Sequence, residues 1–438
     1  MTYENIKTAI LTFLVLLSGI LTWNIWTYQP NYESVENNPK TVEEVSISTQ
    51  RDLKKIVKPH QIIYHVEGKQ FGSVSNGYID DIISAISKWK FYDVKKFPGR
   101  ITDFNEKIAQ GENTEIIFPD EVPIEIYKRV LNIDDKDLPK FDFDRIIINT
   151  ETQQKQDGII YFYSQRNQQV YESNVNPSFI NEFTNKFYKT AGRLTPYFLH
   201  TVSGIKWFYL PAEETKMVKY TYYQNPLDSE QFKGALFKDP SFVQRSISDG
   251  IEEYTDDATK MTVDTKTNMI YYINPVRDQD SIIGTSNVLQ RSIEFVNEHG
   301  GWTEAYRYVY KDDFNQKVLF RLYSKEGYPV FNQTGKSEIL QQWRQTEISR
   351  YIRPGFHLEL PLNPDVITEI LPSGYAALEQ LEKKKDFKPE LLQNLMPGYY
   401  MAQGEEVSLI LLEPGWFYLY DQEWRQLVWE EELKNGLE

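Results

Sequence analysis

Lys260–Ile273 has the sequence KMTVDTKTNMIYYI, two strand-like runs joined by polar residues, and it predicts a β-hairpin. An amphipathic helix is predicted over Asn287–Glu298, closed by the pair Gly300-Gly301. A second hairpin is predicted from Tyr306–Tyr310 and Lys317–Tyr323. Together these elements indicate an antiparallel sheet with a helix on one face.

A similar order of elements recurs about 80–95 residues further along the chain, which is typical of a weak internal repeat. The second copy consists of a strand-like stretch, a helix and a hairpin: Glu338–Ile352, Gly374–Lys383, and Tyr399–Gln403 with Val407–Leu412. Sequence identity between the copies is negligible, so only the pattern supports the repeat. It predicts two α+β domains, residues 210–325 and residues 326–438.

The preceding part of the chain predicts a first α+β domain over residues 55–205. Gln61–Val66 is strand-like, and a helix capped by Ser75-Asn76 follows. Apolar residues at helical spacing mark its buried stripe: Ile79, Ile82, Ile83, Ile86 and Trp89. Another helix begins at Asn176-Pro177 and is expected to end at Gly192. Two strands are predicted between these helices: Ile146–Asn149 and Ile159–Tyr163.

Length and composition restrict the class of protein. With 438 residues and 40% apolar residues, the chain is long enough for about three domains and too apolar for global disorder. Its formal net charge of −15 repels phosphate backbones, so nucleic acid is not an expected partner. Cysteine is absent, which removes disulfides, thiolate nucleophiles and cysteine-ligated metals.

A membrane anchor is predicted near the N-terminus. Ala9–Trp26 has the uncharged sequence AILTFLVLLSGILTWNIW, which as a helix would span about 27 Å, close to the thickness of a bilayer's hydrocarbon core. A cleaved signal peptide is the alternative, but no A-x-A-like cleavage site follows, and Trp23, Trp26 and Tyr28 resemble an interfacial aromatic belt. We therefore expect a transmembrane helix over residues 9–28.

The charges around this helix predict its orientation. Lys7 and the terminal amine precede it, whereas Glu33 and Glu36 follow it and no Lys or Arg occurs before Lys40. The positive-inside rule then places residues 1–8 in the cytoplasm as a short tail. Residues 29–54 are expected to be a linker, leading to a three-domain extracytoplasmic part. The predicted location is the cell membrane, with a single crossing.

One face of the predicted anchor is mostly small or hydroxylated. At about 100° per residue, this face consists of Thr8, Thr12, Val15, Gly19, Thr22 and Trp26. The opposite side carries mainly bulky apolar residues. Small residues let membrane helices approach closely, and threonine hydroxyls can hydrogen-bond across the contact. The face therefore predicts a partner-binding surface, although threonine and glycine are also common in membrane helices without such a role.

Residues that could carry chemistry are scattered. The five histidines show no metal-ligand spacing: His60, His65, His200, His299 and His357. Two S-x-x-K matches, Ser87–Lys90 and Ser203–Lys206, lack the motifs that accompany a serine nucleophile. Adjacent carboxylates such as Asp312-Asp313 fall in predicted turns. The sequence leaves open a glycosidase site whose two catalytic carboxylates lie far apart in the chain. We predict no catalytic, cofactor-binding or metal-binding residue.

The stretch MTYENIKTAILTFLVLLSGILTWNIWTYQPNYE (Met1–Glu33), with the cysteine-free chain and its length, resembles the YycH family. The YENIK start and the LTWNIWTYQP exit from the membrane are the most specific parts. The resemblance implies a non-enzymatic regulator that tunes an essential cell-wall sensor histidine kinase, YycG/WalK, largely through membrane-helix contacts. It also implies a YycI-like companion as a second partner. This family has no catalytic residues to transfer.

Two other functions fit parts of the sequence. An anchored extracytoplasmic cell-wall hydrolase would need a cleft with convergent carboxylates or a base-paired serine. A wall-binding module that uses its helix only as a tether would work equally well with any apolar helix of the same length.

Overall fold

The computed structural model describes residues 14–18, 50–150, 157–202, 206–275, 287–362 and 367–429. Residues 14–18 are helical and belong to a first unit, Met1–Glu44. The strands found among the described residues belong to a second unit, Val45–Glu438. Within the described ranges, no helix combines the length and the apolar character needed to cross a membrane.

The strands of the described residues are β1 Gln61–Val66, β2 Lys69–Ser73, β3 Lys90–Lys96, β4 Asn113–Pro123, β5 Asn132–Ile133, β6 Asp142–Asn149, β7 Gly158–Ser164, β8 Gln169–Val175, β9 Thr195–Val202, β10 Lys206–Pro211, β11 Thr215–Val218, β12 Tyr220–Pro226, β13 Gln244–Ser248, β14 Ile251–Thr255, β15 Lys260–Asp264, β16 Met269–Ile273, β17 Tyr306–Asp312, β18 Lys317–Leu322, β19 Val330–Phe331, β20 Glu338–Arg344, β21 Glu347–Pro354, β22 Phe356–Leu358, β23 Thr368–Leu371, β24 Leu392–Gln403, β25 Leu409–Tyr420 and β26 Glu423–Leu427. The helices of the second unit are α1 Leu53–Ile56, α2 Asn76–Ile86, α3 Ile101–Gln110, α4 Ile124–Tyr127, α5 Pro177–Lys186, α6 Ser229–Leu236, α7 Val288–Glu298 and α8 Gly374–Glu382, with short 3₁₀ turns at Tyr188–Arg193, Pro240–Phe242 and Pro389–Leu391.

A ten-stranded sheet, in the order β10-β9-β2-β1-β4-β6-β7-β8-β3-β5, contains the predicted strands of the first part of the chain. All its pairs are antiparallel except β3 with β5. Glu67 and Gly68, with φ of 50° and 75°, join β1 to β2. Two consecutive positive φ angles match the twist of a tight hairpin, and glycine adopts one of them without steric cost.

The predicted helices of this part of the chain cover the sheet with their apolar stripes. The four isoleucines of α2 are buried, each contributing about 1.5–3 kcal/mol through loss of apolar surface from water. Helix α5 begins after Asn176, whose side chain accepts a hydrogen bond from the Ser178 amide. The expected end at Gly192 is wrong. The α-helix ends at Lys186, because a 3₁₀ turn follows that packs Tyr188 and Ala191 into the core.

An eight-stranded sheet has the order β13-β14-β15-β16-β21-β20-β18-β17. It contains both hairpins predicted between residues 260 and 323, and α7 packs its buried stripe against β18. The stretch predicted as strand-like, Glu338–Ile352, forms β20 and β21, which belong to the same sheet. Strands from both sides of residue 325 therefore share one sheet.

A third sheet has the order β19-β24-β25-β12-β22, and β26 also pairs with β25. The predicted C-terminal hairpin is present, and its two strands are each twelve residues long. Strands β11 and β23 form a separate two-stranded ribbon. One cluster of buried apolar side chains extends from Ile56 to Leu427 and joins the sheets into a continuous core. The α+β class is confirmed, while the division at residues 205–210 and 325 stays a prediction.

Candidate functional site

A wide bulge in β4 carries two acidic residues toward the eight-stranded sheet. Ile117 pairs with Arg145 and Val122 pairs with Phe143, so the four residues 118–121 interrupt the ladder. Pro119 lies in this interruption, where its missing amide proton costs no ladder hydrogen bond. The bulge places Asp120 and Glu121 within the otherwise apolar run Ile116–Pro123 of β4, and both are buried.

Polar contacts attach this bulge to β17. The Lys311 amide donates to Asp120 Oδ2 over 2.9 Å, and the Tyr308 hydroxyl donates to the Glu121 carbonyl over 2.6 Å. Arg166 forms an ion pair with Asp120. The Lys311 ammonium, buried to 3% exposure, lies 2.7 Å from Asp142 Oδ2. Backbone and side-chain hydrogen bonds therefore connect the ten-stranded and eight-stranded sheets.

Tyr308→Phe tests this attachment. We expect it to lower the free energy of unfolding by about 1 kcal/mol, because the buried Glu121 carbonyl loses the hydroxyl that donates to it. Urea unfolding of the variant and the parent protein measures the difference. Tyr310→Phe is the matched control on the same strand, since no hydrogen bond of its hydroxyl is described. Equal unfolding free energies for Tyr308→Phe and the parent would contradict the predicted contribution.

Two adjoining cavities of about 620 Å³ and 210 Å³ lie beside this attachment. They share lining residues that include His60, Asp120, Arg166, Pro329, Asn394 and Leu419. Strands β4 and β10 contribute one wall, the β17–β18 hairpin contributes a second, and β24, β25 and β26 contribute a third. We call this space the three-sheet cleft. Its larger cavity lies within the range of about 300–1,000 Å³ that is typical of small-molecule sites.

Each wall of the three-sheet cleft has an irregular strand. The β4 ladder shifts between Ile117 and Val122, the β17 ladder between Tyr308 and Tyr310, and the β24 ladder between Leu392 and Asn394. Bulges redirect side chains and are common beside functional sites. Here they place Asp120, Tyr310 and Asn394 on the cleft lining.

Burial raises the proton affinity of the carboxylates on the β4 and β6 side. It raises the pKa of Glu121 to about 7, helped by the negative charges of Asp144 and Asp142 and opposed by a hydrogen bond from Ser164. Burial also raises the pKa of Asp120 and of Asp144, although Arg166 and Arg145 respectively act in the opposite direction. Glu121 therefore carries less negative charge near neutral pH than an exposed glutamate would.

A buried ion-pair network around Arg145 stabilises the wall of the smaller cavity. Arg145 donates from Nη1 to Glu115 Oε2 over 2.6 Å, and its guanidinium stacks 4.6 Å from the ring centroid of Trp207. Burial alone would raise the pKa of Glu115, but the charge of Arg145 and hydrogen bonds from His65 and Tyr209 lower it to about 2. Because ionised Glu115 can only accept, His65 carries its proton on Nε2, 2.8 Å from Glu115 Oε1.

The pKa of His60, which lines both cavities, shows how burial and nearby positive charges act on this space. Burial, together with the positive charges of Arg145 and Arg307, lowers the pKa of His60 to about 3. The imidazole is therefore neutral at physiological pH. Among the residues that the structure describes, no group of three or more His, Asp or Glu side chains could hold a metal ion. The three-sheet cleft is arranged to receive polar groups by hydrogen bonding and charge.

The site residues predicted from the sequence lie elsewhere. Thr8, Thr12, Gly19, Thr22 and Trp26 are outside the described residues. Val15 belongs to the helical stretch 14–18, and its side chain is 65% exposed. The partner-binding face of the anchor stays a prediction.

Sequence reasoning missed the cleft, because its walls come from segments far apart in the chain. One local signal was present: Asp120-Glu121 interrupts the apolar run IIFPDEVPI, which an ordinary buried strand would not tolerate. Asp312-Asp313, predicted as a solvated turn, does cap a turn, since Asp312 accepts hydrogen bonds from the Phe314 and Asn315 amides. The same pair also lines the larger cavity.

Three sheets around a shared core, with a polar cleft at their junction, define a multi-sheet α+β protein. Residues 4–191 match the N-terminal domain of the YycH protein, and residues 206–432 match its C-terminal domain. The chain belongs to the YycH family.

A sequence match and a structural match to YycH of Bacillus subtilis support this assignment. The two-component system WalR/WalK regulatory protein YycH of Bacillus subtilis (strain 168) is 25% identical over 433 residues, which cover 94% of each chain. The crystal structure of YycH from Bacillus subtilis superposes with a TM-score of 0.71 at 20% identity, covering 87% of this chain and 98% of the other. The superposition shows that the fold is shared.

Proposed function

We propose that this protein is a non-enzymatic, single-pass membrane regulator of a two-component system, acting on a WalK-like (YycG-like) sensor histidine kinase. The observation that carries the proposal is the family match across both halves of the chain, together with a full-length relative named as a WalR/WalK regulatory protein. In this proposal the N-terminus is cytoplasmic, residues 9–28 cross the membrane, and the sheets lie outside the cell. A YycI-like protein is the proposed companion.

The proposed mechanism uses the anchor helix. Thr8, Thr12, Val15, Gly19 and Thr22 would pack beside the membrane helices of the kinase and favour one of two arrangements. A difference in contact energy of about 1.4 kcal/mol between the arrangements changes their ratio tenfold. Positions 14–17 of the helical stretch 14–18 carry exposed apolar side chains. Their exposure supports the proposal that this segment contacts a partner.

Replacing residues 8–26 by a neutral Leu/Ala span tests this mechanism. In cells that lack the native gene, we expect the full-length protein to restore output from a kinase-dependent reporter, and the Leu/Ala version to fail. Membrane fractionation and immunoblotting verify equal expression and insertion. Equal restoration by both proteins would show that the helix is only a tether.

A single substitution tests which face of the anchor helix contacts the kinase. Gly19→Leu adds bulk to the small face and is expected to reduce the reporter response toward that of cells without the protein. Leu17→Phe, which adds bulk to the opposite side, is the matched control and should leave the response unchanged. An unaltered response with Gly19→Leu would refute the assignment of this face.

A further inference from the structure

The negative charges that line the three-sheet cleft already have partners. Each of its carboxylates accepts at least one hydrogen bond: Asp120, Glu121, Asp144, Asp312 and Asp313. Burial also shifts three of them toward their neutral forms. Asp312 keeps its negative charge, because hydrogen bonds from Asn315 and Phe314 and the charge of Lys317 lower its pKa, whereas the other four carboxyl groups have a cationic partner or a raised pKa.

Two lysines at the cleft lack a close partner. Lys206, at the start of β10, lines the smaller cavity, and Lys317, at the start of β18, lines the larger one. Within the described parts of the chain, neither ammonium has a hydrogen bond or an ion pair. Lys317 lies opposite Asp312 across the hairpin, and its charge helps to lower the pKa of that carboxyl group. Lys206 therefore leaves the less compensated positive charge available to a ligand.

Buried polar atoms without a hydrogen bond lie in the same lining. The side chain of Arg145 is 3% exposed, and its Nε has no hydrogen bond among the described residues but lies 3.9 Å from Asp144 Oδ2. His60 Nδ1, on the lining of both cavities, is also buried and lacks a described partner. Polar atoms in such positions normally bind water or a ligand, because leaving them unpaired costs about 1–3 kcal/mol each.

The remaining lining suits a small organic molecule. Amide side chains of Gln165 and Asn394 offer both hydrogen-bond donors and acceptors. Met396 and Leu419, which line both cavities, offer apolar surface for a carbon skeleton. A few convergent polar groups within a partly apolar cavity are the usual composition of a ligand site.

We propose that the three-sheet cleft binds a small ligand that carries a carboxylate or a phosphate group, which interacts with Lys206 in the smaller cavity or with Lys317 in the larger one. The ligand chemistry follows from these positive charges and from the neighbouring polar atoms that have no described hydrogen bond. This binding site lies in the second unit and is independent of the proposed regulation through the anchor helix.

Isothermal titration of the purified full-length protein tests the site with three probes at fixed ionic strength. Glutarate tests binding of a carboxylate, and inorganic phosphate tests binding of a phosphate group. Glutaramide is an uncharged analogue of glutarate. We expect glutarate or phosphate to bind with a Kd of about 1 mM or tighter, and glutaramide to bind at least tenfold more weakly than glutarate. The anion that binds identifies which oxyanion the cleft prefers.

The double variant Lys206→Ala/Lys317→Ala is expected to raise that Kd at least tenfold with little change in the unfolding midpoint, because neither lysine has a described hydrogen bond or ion pair. The matched control is Lys69→Ala/Lys216→Ala, which removes two exposed strand lysines away from the cleft and should change Kd less than twofold. Absence of binding by both anions, equal binding of glutaramide, or equal effects of the two double variants would each overturn the proposal.

Discussion

Glu115→Ala is expected to lower the free energy of unfolding by about 3–5 kcal/mol, the largest effect among the substitutions considered. The substitution leaves the Arg145 guanidinium buried without the carboxylate that lies 2.6 Å from it. It also removes the acceptor for His65 and Tyr209. Guanidinium chloride unfolding at neutral pH measures the change.

Glu112→Ala is the matched control for this experiment. Glu112 immediately precedes the same strand, but its side chain is exposed and has no described partner, so its loss should cost less than about 0.5 kcal/mol. If Glu115→Ala lowers the free energy of unfolding by less than about 1 kcal/mol, Arg145 finds a compensating partner elsewhere. The network would then not stabilise this wall of the cleft.

Titration of Glu121 should lower the free energy of unfolding as the pH rises from about 5 to about 7.5, whereas buried His60, with its pKa lowered to about 3, acts in the opposite direction. The folded-state pKa of Glu121, about 7, exceeds its ordinary value of 4.5. Between these values the folded state binds more protons than the unfolded state, so the free energy of unfolding decreases with increasing pH. The contribution across this interval is about 2 kcal/mol.

Glu121→Gln isolates that contribution, because glutamine mimics the protonated side chain and does not titrate. Over the same pH interval, we expect the free energy of unfolding of the variant to rise by about 2 kcal/mol relative to that of the parent. Asp120 and Asp144 titrate in both proteins, so the difference between the two curves reports Glu121 alone. Glu125→Gln, an exposed substitution nearby, should reproduce the parent curve. Parallel curves for Glu121→Gln and the parent would refute the raised pKa.

The elements that could be predicted from the sequence are those defined by local pattern. Strand β1 has the predicted bounds, and α7 begins after Asn287, whose side chain accepts a hydrogen bond from the Leu289 amide. Local pattern does not predict the boundary between two strands that are joined without a turn signal. Gln345, with a φ of 54°, lies at the turn between β20 and β21, and nothing in WRQTEI marks it.

Sheet membership and the cleft depend on contacts between distant residues, which no window of sequence contains. Met269 pairs with Pro354, and this pairing brings the predicted hairpins and the β20–β21 pair into one sheet. The Asp120 side chain reaches the Lys311 amide from a bulge whose depth depends on the partner strand. The acidic interruption at Asp120-Glu121 indicated an irregularity, but only the tertiary fold identifies what it contacts.

The pairing of β12 with β25 also has a consequence for the order in which the chain folds. Tyr220 is synthesised long before its partner Leu412, so this part of the sheet cannot close until nearly the whole chain has emerged. Closing such a long loop is entropically unfavourable and slow, and the partly folded chain meanwhile presents the β12 edge to other molecules. Chains that end before Leu409 keep that edge open permanently and are prone to aggregate through it.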